Sequence, residues 1–431
     1  QYDHFQYMQQ RGTYFDFEQY LPAKHIINRE IDLYNLDWSN LASDNSRLAQ
    51  QFYPIEDGCS TQRIVDALAF DARPRQSKDI IFLVNDLNQI GGIHTFVANM
   101  AKHYKETYNS RIYLLAINEF AESNTEYHQF NCPDVDFKLS ARYLAGGCAN
   151  ILQNTDGIVI SLQFSAHLHF QKYLTHAKSI LMFHGDVKDI ISREMYGPHL
   201  DWLNHGNLYN YQKLLLLTQS AVDLLAPHVN KEVAEKLGYM HNSIDAEYCP
   251  ITSQHAHHAA VISRLDADKN IWALIDLGKE ILGQNQDIVI NIYGDGQLKD
   301  EFQATIVAAG LSDTLILHGF ESNKEKIFSV NSSLLLLSKS EGFPLVILEA
   351  YANGKPVIVF DSFTAASDIV KHKETGFLVP YGDYAAVVDG INQADTIDIT
   401  NISALFSQFE NKAIFARWNQ LFAELDTMHH Q

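Results

Sequence analysis

Cysteine is scarce in this chain. Four residues in 431, Cys59, Cys132, Cys148 and Cys249, stand far apart and form no Cys-x-x-Cys or Cys/His arrangement. That excludes a small disulfide-built scaffold and a zinc ribbon, and it favours free thiols in a reducing compartment. Long apolar runs are missing too: none approaches the roughly 20 residues that carry a helix across a bilayer. No signal-like segment opens the chain, which begins at Gln1 rather than methionine, so the natural start is expected to lie elsewhere. Basic residues are also short, 32 Lys and Arg against 52 Asp and Glu, a net charge of −20. Binding a nucleic-acid backbone requires the opposite balance, so no nucleic-acid partner is expected. The same charge disfavours broad contact with an anionic membrane and leaves open only a local basic patch.

What is present is a globular composition, 46% apolar and 19% charged, at a length suited to two or three domains. From about residue 79 short apolar runs alternate with helical stretches. Strand candidates are Ile80–Val84, Ile112–Ile117, Gly157–Leu162, Ser179–Phe183 and Leu214–Thr218. After a break at Gly238–Ser253 come Ala259–Ser263, Ile288–Tyr293, Leu315–His318, Leu334–Ser338, Val357–Phe360 and Gly376–Val379. Apolar runs buried on both faces and separated by helices indicate an α/β chain with parallel sheets. The simplest architecture is a pair of Rossmann-like domains, 79–240 and 241–415, facing a cleft at their strand C-terminal ends. Residues 1–78 fall outside the alternation and read as a mainly helical extension, helix-like over Ile26–Phe52, with a linker at Gln62–Lys78 containing Arg73-Pro74-Arg75. Packing on the first domain is the expectation for it, and a module contacting an acceptor or partner is the alternative. At the other end Ile402–Met428 reads helical, with Leu405, Phe406, Phe409, Ile414, Phe415, Trp418, Leu421 and Phe422 as a helical-period apolar stripe, and 416–431 is set apart as a terminal helix.

The most informative stretch is 338–356, Ser338-Lys-Ser-Glu341-Gly342-Phe343-Pro344-Leu345-Val346-Ile-Leu-Glu349-Ala-Tyr-Ala-Asn-Gly354-Lys355-Pro356. It follows the apolar run Leu334–Leu337 and predicts a helix from about Pro344, because proline lacks an N–H that the first turn could not use. The N–H groups of Leu345, Val346 and Ile347 would then face out of the helix end and hold an anion such as phosphate. Glu341 precedes that anion site and Glu349 lies on the helix behind it. A phosphate-accepting helix end flanked by carboxylates suits a nucleotide-activated sugar.

This segment resembles the C-terminal signature of glycosyltransferase family 4, retaining enzymes with the GT-B fold. Further pieces extend the resemblance over about residues 79 to 425. The Gly91-Gly92 pair after the first strand is similar to the family loop that lies against the donor diphosphate. Ser263-Arg264-Leu265-Asp-Ala-Asp-Lys269-Asn270 looks like the Gly-Arg-Leu…Lys-Asn segment whose cations neutralise the phosphates, with Ser263 in place of the usual glycine. Met182-Phe-His184-Gly185-Asp186 matches the position of the family's histidine at the sugar pocket. Tyr293-Gly294-Asp295-Gly296 and Leu317-His318-Gly319-Phe320 look like loops lining the nucleotide pocket.

The resemblance implies that the terminal helix crosses back to the first domain, and it implies the following roles. Glu341 would contact the donor sugar and the reacting region, and Glu349 the ribose. Arg264 and Lys269 would hold the diphosphate with the helix end at Leu345–Val346, and His184 would join Glu341, Arg264 and Lys269 as catalytic. Gly91, Gly92, Gly294, Phe320, Gly342, Phe343 and Pro344 would complete the donor site. No metal and no separate cofactor is expected; His255, His257 and His258 read as a solvated tract. The implied reaction moves a sugar, by default from a UDP-sugar, to a glycan or polyol-phosphate acceptor in bacterial teichoic-acid or capsule synthesis. Front-face attack assisted by the leaving phosphate is the family's usual explanation of retention. The expected location is cytoplasmic, at the inner face of the membrane, with peripheral attachment or membership of a larger polymerase open. Alternatives are a catalytically silent GT-B subunit that binds a glycan or supports a partner, and a sugar-nucleotide epimerase.

Overall fold

The structure, a computed structural model, describes residues 79–86, 92–118, 132–174, 177–192, 199–205 and 208–428. The extension expected over 1–78 and the candidate Gly91 lie outside the described residues. In the first half, strands β1 (Ile80–Asp86), β2 (Ile112–Asn118), β3 (Phe137–Ser140), β4 (Ile158–Ser161), β5 (Lys178–Met182), β6 (Lys213–Leu216) and β7 (Leu237–Tyr239) make a sheet ordered β3-β2-β1-β4-β5-β6-β7. In the second half, β8 (His258–Ile262), β9 (Val289–Tyr293), β10 (Leu315–Gly319), β11 (Ser333–Leu336), β12 (Val357–Phe360) and β13 (Gly376–Val379) make a sheet ordered β10-β9-β8-β11-β12-β13. Every neighbouring pair is parallel. The strand order of each sheet reverses once, between β1 and β4 and between β8 and β11. Chains leaving those strands diverge, and the crevice they leave is where such sheets bind ligands.

The central strands are buried on both faces, β4, β11 and β12 without interruption, and this is why they read as continuous apolar runs. Two edge strands carry no such signature. β3 alternates, with Lys138 exposed, and its entry is fixed by Asp136, which accepts from the Ile112 N–H at 2.8 Å and pairs with Lys105 at 2.8 Å. β7 is three half-buried residues, Leu-Gly-Tyr, so the first sheet reaches Tyr239 and the predicted break beginning at Gly238 falls inside a strand. What holds β7 comes from far along the chain. Arg417 lies over the Tyr239 ring at 4.5 Å and donates to the Tyr239 carbonyl at 3.1 Å.

The C-terminal stripe is carried by two helices, Ile399–Phe406 and Asn411–Met428. The second returns to the first domain. His103 stacks on Phe415 with centroids 3.9 Å apart, Tyr104 donates to Asn419 at 2.9 Å, Lys178 pairs with Asp426, and the fully buried Trp418 packs on Phe96. A buried tryptophan of this kind is typically worth about 3–5 kcal/mol against alanine, so the two domains are joined by more than their linker. Among the described residues no helix is long and apolar enough to cross a membrane.

Gly354-Lys355-Pro356 has a structural reading of its own. Gly354 takes φ +68° to turn the helix Leu345–Ala352 into β12, and a Cβ there would meet Pro250 at 2.8 Å. Lys355, 3% exposed, sends its ammonium to the Ile251 carbonyl at 2.6 Å, and Cys249 and Ile251 donate backbone N–H groups to Ala352 and Asn353. The interdomain segment is therefore fastened to the back of that helix. Burial pushes Lys355 down from 10.5 to about 8. The unfolded chain holds this proton more tightly between those values, so stability rises as pH climbs through about 8 to 10.5, and the full penalty applies below. The melting temperature of the wild type should gain on that of Lys355→Met across this range; parallel pH curves for the two would contradict the assignment.

Candidate active site

Where the strand C-terminal ends of the two sheets face each other they enclose a cavity of about 810 Å³. The first domain supplies Asn85 at the end of β1, Gly92 and Thr95 at the start of the helix Gly92–Tyr108, Gln163 after β4, and His184 after β5. Gln163 accepts the Asn85 N–H at 2.7 Å and the Asn85 amide oxygen accepts from Ser165 at 2.7 Å, tying the diverging ends of β1 and β4 together. The second domain supplies Ser263, Arg264, Lys269, Lys324, Glu341 to Val346, and Glu349.

The loop after β8 is held by Asn270. This residue adopts the left-handed conformation, φ 52°, that asparagine tolerates better than most, and its amide donates to the Leu337 carbonyl at 2.8 Å. The bond joins the ends of β8 and β11 and sets Lys269 beside Glu341. Their side chains pair at 2.8 Å and are 24% and 12% exposed. A second pair, Lys324 with Glu349 at 2.8 Å, lies in the same wall. Arg264, 62% exposed, pairs with Asp266 at 2.6 Å. The cations that the sequence reading left free are thus each neutralised by a carboxylate, and an arriving diphosphate must share or displace those carboxylates.

The helix end differs by one residue from expectation. Pro344 is the cap, in extended conformation, and the helix begins at Leu345. The Ile347 N–H bonds back to the Pro344 carbonyl at 3.1 Å, so the outward-facing amides are those of Leu345 and Val346, both in the cavity wall. Gly342 approaches the first domain so closely that a Cβ would lie 1.8 Å from the His184 carbonyl oxygen. The His184 ring sits edge-on to Phe96 at 5.1 Å, and neither ring nitrogen has a hydrogen-bond partner. Burial pushes it down to about 3, so it is a neutral imidazole at any physiological pH.

Two predicted donor-site residues are not in the wall. Gly294 lies behind it, where a Cβ would sit 1.8 Å from the Ser263 carbonyl oxygen; its smallness lets β9 pass the loop that carries Arg264. Phe320 is 78% exposed and outside the cavity, because Gly319 at φ +78° turns the chain outward after β10. Lys324 and Asn242 are in the wall and were not anticipated. Asn323 caps the helix Lys324–Val330 through the Lys326 N–H, a start signal legible in sequence, but nothing local connects Lys324 to Glu349. Asn242, 3% exposed, leaves its amide oxygen without a partner. As to metals, the sequence does hold two Asp-x-Asp triplets, 134–136 and 266–268. Asp136 and Asp266 are occupied by Lys105 and Arg264, and among the described residues no cluster of three or more metal-ligating side chains occurs.

Residues 256–398 match the family described as glycosyl transferases group 1, which covers the Arg264, Lys269, Glu341 and Glu349 segments. That match covers a third of the chain, and over it the sequence is similar to the group 1 glycosyl transferases. An exopolysaccharide phosphotransferase of Streptomyces coelicolor is 28% identical over 49% of this chain and 23% of its own length. The poly(ribitol-phosphate) alpha-N-acetylglucosaminyltransferase of Staphylococcus aureus is 23% identical over 48% of this chain and 43% of its own. The matches span less than half of either relative. The structure of TarM from Staphylococcus aureus with UDP and alpha-GlcNAc-glycerol superposes with a TM-score of 0.63 at 12% identity, over 80% of this chain and 99% of that one. The second sheet, which lies within the matched residues, and the first sheet together make the GT-B fold, two Rossmann-like domains facing a cleft.

Proposed function

We propose that this chain is a retaining, metal-independent glycosyltransferase that moves a sugar from a UDP-sugar to a glycan or polyol-phosphate acceptor in bacterial cell-surface polymer synthesis. The observation that carries the reading is the composition of one cavity wall: Lys269, Glu341, the Leu345 and Val346 amides, Lys324 and Glu349, facing His184 and Gly92 across the cleft. The diphosphate lies at the helix end, where the amides and the dipole favour negative charge. Lys269 and Arg264 stabilise the charge that develops as the bond between the sugar carbon and the phosphate oxygen breaks. The acceptor oxygen attacks on the same face and its proton passes to the departing phosphate oxygen. Glu349, oriented by Lys324, takes the ribose hydroxyls, and Glu341, released by Lys269, turns to the sugar. Neutral His184 orients the sugar and transfers no proton. UDP is the chosen nucleotide because the superposed TarM structure contains it. The acceptor class follows the poly(ribitol-phosphate) relative; a place at the inner face of the cytoplasmic membrane, as a peripheral protein or part of a larger polymerase, is part of the same proposal.

The test is a panel of UDP-, GDP- and ADP-sugars assayed for hydrolysis and for transfer to polymer acceptors by mass spectrometry, with and without EDTA. Transfer from a UDP-sugar that survives EDTA, with an α linkage in the first-formed product from an α-linked donor, is expected. Loss of activity in EDTA with recovery in Mn²⁺ would overturn metal independence, and a β linkage would overturn retention. UDP binding without any turnover would favour the silent-subunit reading.

A further inference from the structure

Nothing bonds the His184 imidazole, so its position depends on the backbone that bears it. That backbone leaves β5 with the Phe183 N–H on the Leu215 carbonyl at 3.0 Å and runs through Gly185 and Asp186 into the helix Val187–Ser192. Asp186 is 3% exposed. Its carboxylate accepts the Lys188 N–H at 3.1 Å from its own turn; its other donors, the Thr364 N–H at 3.1 Å and the Thr364 hydroxyl, come from the second domain. Thr364 stands on the loop after β12, rooted there by Phe363, which is 1% exposed. Around this bond the Lys188 ammonium meets the Ser362 carbonyl at 3.0 Å and Ser340 donates to Asp189 at 3.3 Å.

We propose that Asp186 and Thr364 are positioning residues, a cross-cleft bond that sets His184 in register with a donor held by the other domain. The inference rests on the glycosyl-transfer reading above. A buried carboxylate bonded by a hydroxyl and an amide makes charge-assisted bonds, stronger and more directional than neutral ones. Both cross-cleft donors reach it only at one relative placement of the domains, and that placement also brings Gly342 against the His184 carbonyl. When the domains part, water takes over the carboxylate, and the loop bearing His184 loses its attachment to the donor-binding half. The pair therefore acts on the geometry of the closed site and not on the affinity of the second domain for a nucleotide.

The test compares Thr364→Val, which keeps the shape and the N–H but removes the hydroxyl, with Thr364→Ser, which keeps the hydroxyl. Thr364→Val should lower kcat by about 10- to 10²-fold, the scale of a misplacement of about 1 Å. Calorimetric Kd for UDP should stay within about twofold, since the nucleotide contacts lie elsewhere. Thr364→Ser should recover most of the loss. Wild-type kcat in Thr364→Val, or a Thr364→Ser variant as impaired as Thr364→Val, would overturn the proposal. If the wild type bound no UDP at all, the failure would lie with the glycosyl-transfer reading instead.

Discussion

Turnover of a Lys269→Ala variant is expected to fall by about 10²–10³, the usual consequence of removing a fixed stabiliser of developing charge. Lys269 is the best placed of the three cations in the wall. It is three-quarters covered, it contacts Glu341 at 2.8 Å, and Asn270 holds its loop to the end of β11. Removing it withdraws a cation from the departing diphosphate and leaves a carboxylate 12% exposed without its partner. The two losses are coupled, so Lys269→Ala combined with Glu341→Gln should cost clearly less than the two single costs added. Arg264→Ala should be milder, because its guanidinium is 62% exposed and water screens what it contributes. Steady-state kinetics with the preferred UDP-sugar, alongside melting curves showing an intact fold, decide the matter. Near-normal turnover in Lys269→Ala would remove the phosphate role from this residue.

The second large effect is expected from one methyl group. In Gly342→Ala the new Cβ would sit 1.8 Å from the His184 carbonyl oxygen, 2.7 Å from its carbon and 3.1 Å from the Gly185 Cα. These are backbone atoms, which no rotamer change can move aside. The loops must separate by roughly 1 Å or more, and a misplacement of that size at a reacting centre costs about 10² in rate. The contact lies between domains, so the second domain should still fold and still bind UDP. What should disappear is the UDP-induced compaction in solution scattering that closing the cleft would produce. Gly294→Ala is the contrast. Its Cβ also meets a carbonyl oxygen at 1.8 Å, that of Ser263, but inside the second domain, so it should lower the melting temperature. A Gly342→Ala enzyme that turns over and compacts like the wild type would mean that catalysis does not use the approach seen here.

Much of the frame was legible in the sequence because burial leaves its mark on each strand separately. β1, β2, β4, β5, β6 and, in the second sheet, β8, β9, β11, β12 and β13 have both faces covered or nearly so, and their apolar runs say this without reference to anything else. Pro344 marked the helix start to within a residue for an equally local reason, its missing N–H. The segments that join the cavity walls were found because they follow strand ends, and in parallel sheets those ends share one edge.

What the sequence could not settle depends on residues far apart. β3 and β7 are edge strands with one partner each, so their composition carries little pattern; β7 relies on Arg417, 178 residues beyond the Tyr239 carbonyl it binds. A lysine reads as a cation whether it is free or paired, and only the fold brings Glu341 to Lys269 and Glu349 to Lys324. Phe320 belongs to an apolar strand end by sequence, yet the backbone turn at Gly319 sends it into solvent. Strand periodicity is a one-dimensional record of burial. The ion pairs of the wall, the Asp186–Thr364 bond and the contact at Gly342 record how the sheets and their loops are placed against one another, and that placement comes from packing summed over the whole molecule, including the helix Asn411–Met428 that crosses back to the first domain.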